Sequence, residues 1–132
     1  MAWETKRLPA RPDVVAPDGS DVRILLGLTG GGMAHFELAP GETSIAVAHR
    51  TVEEIWFFVG GRGEMWRALD EDEEVVEVEP GVCLTIPVGT RFQFRSLGSE
   101  PLAAIGVTMP LWPGPDEAVT VDGRWAPTVA PP

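Results

Sequence analysis

His49 and Glu54 stand five residues apart in the stretch AHRTVEEIWFFVGG (48–61), and both side-chain types bind metal ions or move protons. An imidazole held beside a carboxylate can serve as a general acid–base pair or orient a bound molecule, because the carboxylate raises the imidazole's basicity and fixes its tautomer. The same two residues can also lie buried as a hydrogen-bonded pair with no chemistry attached. Two protein donors are too few to hold a transition metal against water, since affinity rises with ligand number and preset geometry. Other reactive types are sparse. His35 in MAHFEL (33–38) is the second of two histidines and reads as a surface or core-edge strand residue, with lining of an interior cavity as the alternative. The lone Cys83, between Val82 and Leu84, reads as a small core residue. Arg50 and Arg91 read as solvent-facing, although either could receive an anionic group.

The elements that must position these residues are short strands. DVRILLGL (21–28), MAHFEL (33–38), TSIAVAH (43–49), EEIWFFV (53–59), GEMWRAL (63–69), EVVEVE (74–79), VCLTIP (82–87), TRFQFRS (90–96) and PLAAIGVTM (101–109) are apolar, β-branched or alternating, and most are parted by Gly or Pro-Gly turns. Strand alternation sets Glu54, Trp56 and Phe58 on one face, with Glu53, Ile55, Phe57 and Val59 on the other. By the same rule Phe92 and Phe94 oppose Arg91, Gln93 and Arg95. The apolar outer face of 53–59 requires cover, from the N-terminal arm or from a second subunit. About nine strands and no helical periodicity predict an all-β sandwich or barrel. The division expected is an extended arm (1–20), the barrel (21–110) and a Pro-rich tail packed on it (111–132).

Composition excludes several function classes. The 132 residues suit one domain, and a net charge of −10 repels phosphate backbones and anionic lipid, so neither nucleic acid nor a membrane surface is an expected partner. The acidic run DEDEE (70–74) reads as a solvated loop or edge. One cysteine gives no disulfide framework, no stretch reaches the ~18 apolar residues of a membrane span, and the N-terminus lacks the apolar core of a signal peptide. A cytoplasmic protein is expected. The glycines of LTGGGMA lack the Lys-Ser/Thr of a phosphate loop, and there is no G-x-S-x-G elbow or C-x-x-C pair.

The spacing Gly41-x5-Val47-x-His49-x4-Glu54-x6-Gly61 resembles the first motif of the cupin family, G-x5-H-x-H-x4-E-x6-G, with Val47 in place of the first histidine. Gly81-x5-Pro87-x-Gly89-x2-Phe92-x3-Ser96 resembles the second, G-x5-P-x-G-x2-H-x3-N, with Phe92 and Ser96 at the histidine and asparagine positions. The tail segment WPGPDEA (112–118) is similar to that of a subset of small bacterial-type cupins. The resemblance implies a jelly-roll barrel, a double-stranded β-helix, and a dimer. It also implies that His49 and Glu54 face the barrel interior, where complete cupin sites use three histidines and a glutamate to hold one divalent Fe, Mn, Ni, Cu or Zn ion. With two of the four ligands replaced by apolar side chains, no cofactor is expected. The alternative is a metal-dependent dioxygenase or isomerase in which His35, Cys83, substrate or water joins His49 and Glu54.

The sequence therefore predicts a cupin-like homodimer binding a small organic molecule in its barrel, with His49 and Glu54 as polar anchors or a catalytic pair for isomerase- or epimerase-like proton transfer. Val47, Trp56, Phe58, Phe92 and Phe94 would form the apolar wall, and Trp66, Trp112 and Trp125 would flank the mouth. A non-catalytic dimer with a closed core is the remaining alternative.

Overall fold

The computed structural model describes residues 2–132 and contains eleven strands and, among those residues, no helix. They are β1 (Val14–Val15), β2 (Asp21–Leu28), β3 (Gly31–Leu38), β4 (Val47–His49), β5 (Glu53–Gly60), β6 (Gly63–Leu69), β7 (Asp72–Val78), β8 (Cys83–Ile86), β9 (Arg91–Ser96), β10 (Leu102–Met109) and β11 (Ala118–Thr120). Two antiparallel sheets face each other, in the orders β1-β2-β3-β10-β5-β8 and β11-β4-β9-β6-β7. This is the all-β double-stranded β-helix architecture. The nine strands legible from alternation are all present, and β1 and β11 add one edge to each sheet.

The turns explain the motif glycines. Gly41, Gly61, Gly81 and Gly89 all have φ between 69° and 99°, the left-handed region that side chains with a Cβ rarely enter. Gly61 is the most constrained of these: a Cβ there would stand 2.3 Å from the Pro101 carbonyl oxygen. That close approach lets the β5–β6 turn pack against the start of β10.

Alternation sorts the strands as expected. Trp56 and Phe58 of β5, Phe92 and Phe94 of β9, Met65 of β6 and Leu102 of β10 point between the sheets and are all but inaccessible. Trp56 is the hub. Its ring stacks on Phe36 at 4.8 Å and meets Phe92 and Phe94 edge-on at 6.0 and 5.2 Å. The stack needs Gly106, which pairs with Trp56 across β5–β10; a Cβ there would come within 2.4 Å of the Phe36 ring.

The two outer faces are covered differently. On the five-stranded sheet, Trp66, Ala46 and Ala68 pack beneath Val121 and Trp125 of the C-terminal tail. Gln93, fully buried, clamps that tail by donating to the Ser44 and Trp125 carbonyls and accepting from Trp125 N. Trp66 and Trp125, expected at the barrel mouth, belong instead to this outer cluster, because Trp66 has the opposite parity to the inward-facing Met65. On the six-stranded sheet the N-terminal arm is pinned at the β2 edge, where Arg23 donates to the Pro9 and Ala10 carbonyls and Lys6 to the Ile24 carbonyl. Ile55, Phe57 and Val59 of β5 remain 41–48% exposed. Cys83 is exposed as well, contrary to the expectation of a core position. It pairs with Phe57 and alternates with the buried Leu84, so it shares the outer face. The acidic run turns at Asp70 and Glu71 and continues into the exposed edge strand β7, where Glu73 accepts from Trp66 Nε1 at 2.7 Å and Glu74 pairs with Arg67.

Candidate functional site

The site lies at one end of the barrel, where β4, β5 and the connection after β10 converge. His49 ends β4, and Glu54 is the second residue of β5. Both are buried, at 7% and 3% exposure, and His49 Nδ1 lies 3.3 Å from Glu54 Oε1. That contact is off the hydrogen-bond line, so Nδ1 has no partner among the described residues, and the nearby buried Trp56 Nε1 approaches the Glu54 carboxyl without completing a hydrogen bond. Buried polar atoms are normally paired, and orphans mark strain, catalysis or a missing guest. Here two of them flank a buried carboxyl group.

Burial sets the charge state. It pushes Glu54 up to about 8, aided by the buried Asp18 carboxyl and opposed by Trp56 Nε1. It pulls His49 down to about 4, against the attraction of Glu117. At neutral pH the pair is an uncharged acid beside an uncharged base.

Two further carboxylates shape the site, and sequence reasoning identified neither. Glu117 follows the WPGP turn and has only 5% exposure. It accepts from Thr51 N (2.7 Å), Thr51 Oγ1 (2.5 Å) and Val52 N (2.9 Å). Burial works to raise its pKa, but those hydrogen bonds and His49 hold it below the ordinary value. Asp18, at the end of the arm, accepts from Ser20 N and Oγ and is driven upward by burial. The one hint in the sequence was Asp-Gly-Ser at 18–20, which reads equally as a turn.

The connection after β10 closes the site. Trp112 sits edge-on to His49 with ring centroids 5.0 Å apart, and Phe92 does the same from within the barrel at 5.3 Å. Val47, Trp56, Phe58, Phe92 and Phe94, the expected apolar wall, are brought together and pack against one another. His35 is not part of this group. Its neighbour Phe36 stacks on Trp56, so His35 points to the opposite face of the sheet, level with Arg23 and Ile105. Arg50 is exposed and donates to the Asp116 carbonyl, and Arg91 lies over Trp66 at 5.7 Å.

These residues do not fit a cupin metal centre. Val47 and Phe92 face each other across β4–β9, each 1% exposed, so the two replaced corners form a single apolar wall. Among the described residues no three His, Cys, Asp or Glu side chains converge on a common point, and His35 and Cys83 lie beyond the sheet. The orphaned His49 Nδ1 faces one carboxyl group where metal binding needs three or more donors.

A fold of two such sheets with this motif pair defines a cupin, and comparison with known proteins agrees. The cupin domain model Cupin_2 matches residues 34–108, more than half of the chain, and the protein belongs to that family. It is 33% identical over 102 residues to polyketide synthase CurC of Streptomyces cyaneus, covering 74% of this chain and 64% of CurC. In fold it is similar to the capsular polysaccharide assembling protein CapF of Staphylococcus aureus (TM-score 0.69, 18% identity, 90% of this chain and 33% of CapF). It is also similar to a double-stranded β-helix protein of Klebsiella pneumoniae (TM-score 0.65, 15% identity, 79% of this chain and 85% of that one). The chain thus spans under two thirds of CurC and a third of CapF. No helix among the described residues is long and apolar enough to cross a membrane.

Proposed function

We propose that this cupin binds a small carbonyl compound at the mouth of its barrel and catalyses metal-free proton transfer on it, with His49 as base and Glu54 as acid. The observation that carries this reading is the close contact of a buried imidazole and a buried carboxyl group, with His49 Nδ1 lacking a hydrogen-bond partner among the described residues; burial favours the uncharged form of each. In enolisation the α C–H bond breaks and its proton passes to His49, while Glu54 gives its proton to the carbonyl oxygen. The imidazolium and carboxylate so formed stand 3.3 Å apart, and their attraction in a poorly solvated site offsets the cost of creating two charges. Transfer of the proton from His49 to Glu54 resets the pair. The relative named for polyketide synthesis supports a carbonyl substrate, because polyketide chemistry runs through enolisable ketones.

The test is solvent exchange of the α-protons of 2-tetralone in D2O, followed by NMR. The native protein should accelerate exchange, and His49→Ala and Glu54→Gln should each lower the rate at least ~100-fold, the usual weight of a general acid or base. Exchange should survive dialysis against EDTA, with Fe, Mn, Ni, Cu and Zn far below one per chain by elemental analysis. A stoichiometric metal lost together with activity in His49→Ala would overturn the reading.

We further propose that a second copy covers the outer face of the six-stranded sheet. Ile55, Phe57 and Val59 are exposed there, whereas the opposite outer face is already sealed by the tail. Light scattering should give twice the chain mass for the native protein and a single chain mass for Phe57→Glu, since burying an unpaired charge in an interface costs several kcal/mol. A native monomer at micromolar concentration would refute it.

A further inference from the structure

The segment 110–117 is a strap fastened at both ends. At one end the Leu111 side chain rests on Gly27 and Gly32; a Cβ on either glycine would come within 2.7 or 3.1 Å of Leu111 Cδ2. At the other end Glu117 grips Thr51 and Val52, Arg50 N donates to the Glu117 carbonyl, and Arg50 Nε donates to the Asp116 carbonyl. Between those anchors the backbone is tied to itself, through Glu117 N to Gly114 O at 3.2 Å. Pro113 and Pro115 flank Gly114, whose φ of 144° suits glycine alone.

Trp112 hangs from this strap. One side of its ring meets His49, while 38% of the residue faces solvent. With Phe92 edge-on to the same imidazole from within the barrel, the indole fills the outer half of an aromatic slot around His49. The indole meets His49 edge-to-face, a contact worth ~1 kcal/mol beyond its buried area, and rotation of this half-exposed side chain would displace it from the imidazole while both anchors stay in place.

Building on the proton-transfer reading, we propose that the Trp112 indole occupies the subsite of the substrate's ring, so that a planar, ring-fused enolisable ketone binds by displacing Trp112 from His49. The strap thereby sets specificity for flat ligands and shields His49 from water when none is bound. A ligand that must first displace the indole binds more weakly by the fraction of time the slot is open. Removing the indole should therefore tighten binding.

The test reads occupancy and not turnover, so it stands even if no exchange of 2-tetralone is seen. The probes are diethyl pyrocarbonate, which modifies neutral imidazole and is tracked at His49 and His35 by peptide mass spectrometry, and 2-naphthol, a planar mimic of the enol of 2-tetralone. Trp112→Ala should speed modification of His49 about tenfold while leaving His35 unchanged, and Trp112→Phe should fall between the two. In Trp112→Ala, 2-naphthol should protect His49 with a Kd about tenfold below that for the native protein, and saturated decahydro-2-naphthol should not protect. Equal reactivity of His49 in native protein and both variants, or equal protection by the saturated alcohol, would overturn the proposal. Should Trp112→Ala fail to fold, the Trp112→Phe comparison decides alone.

Discussion

Replacing Glu54 by Gln is expected to make the protein markedly more resistant to alkali. Folding lifts the Glu54 carboxyl from its ordinary 4.5 to about 8, so between these values the folded chain holds a proton that the unfolded chain has released. Stability must then fall as pH rises across the window; it is fully retained below 4.5 and fully lost above 8. The span corresponds to about 5 kcal/mol for one buried group, comparable with the whole stability of a small domain. His49 acts in the opposite sense. Its pKa drops from 6.5 to about 4 on folding, so stability rises with pH between those values. The two slopes largely cancel from about 4.5 to 6.5 and leave Glu54 dominant above. Urea titrations of native protein and Glu54→Gln from pH 5 to 9 should show the native curve falling by ~2 kcal/mol between pH 6.5 and 8, with the Gln variant flat there. Parallel curves would mean that Glu54 is ionised in the folded state, and the uncharged acid required for proton donation would be lost with it.

The barrel was legible in the sequence because its determinants are local. Alternation in EEIWFFV and TRFQFRS needs only neighbouring residues, and a positive φ at Gly61 or Gly81 is a property of one turn. The same rule of parity, applied consistently, would have placed Cys83 outside, since Leu84 beside it is core. What escaped was long-range. Nothing near Glu117 shows that its carboxylate will cap the backbone of Thr51 and Val52, which lie more than sixty residues earlier. Nor does anything near Gln93 reveal a clamp on Trp125. The Pro-rich tail looked like surface chain because proline removes donors and blurs periodicity, yet β11 pairs with β4 directly behind His49. Trp112 was one of three tryptophans open to a place at the mouth. Only the path of the strap from Leu111 to Glu117 distinguishes it from Trp66 and Trp125.

The same packing logic makes Trp56→Ala the most damaging single change expected in the core. Trp56 is 1% exposed and touches Phe36, Phe58, Phe92 and Phe94, which come from β3, β5 and β9. It is thus a principal link between the two sheets. Truncation removes the transfer free energy of the indole and leaves a cavity that rigid strands cannot close, at a cost of about 3–5 kcal/mol. Chemical denaturation should show that loss with an unchanged slope. Trp56→Phe keeps a ring on Phe36 and should cost less than half as much. The indole also carries the orphaned Nε1 beside Glu54, so the Phe variant removes a group that opposes protonation of the acid. In Trp56→Phe the alkaline fall in stability should therefore continue to higher pH than in native protein before it levels off, although its overall stability is lower. If in Trp56→Phe the fall instead levels off at lower pH, the indole favours the protonated acid by excluding water from it, and the stabilisation of the ionised carboxylate assigned to Trp56 Nε1 is wrong.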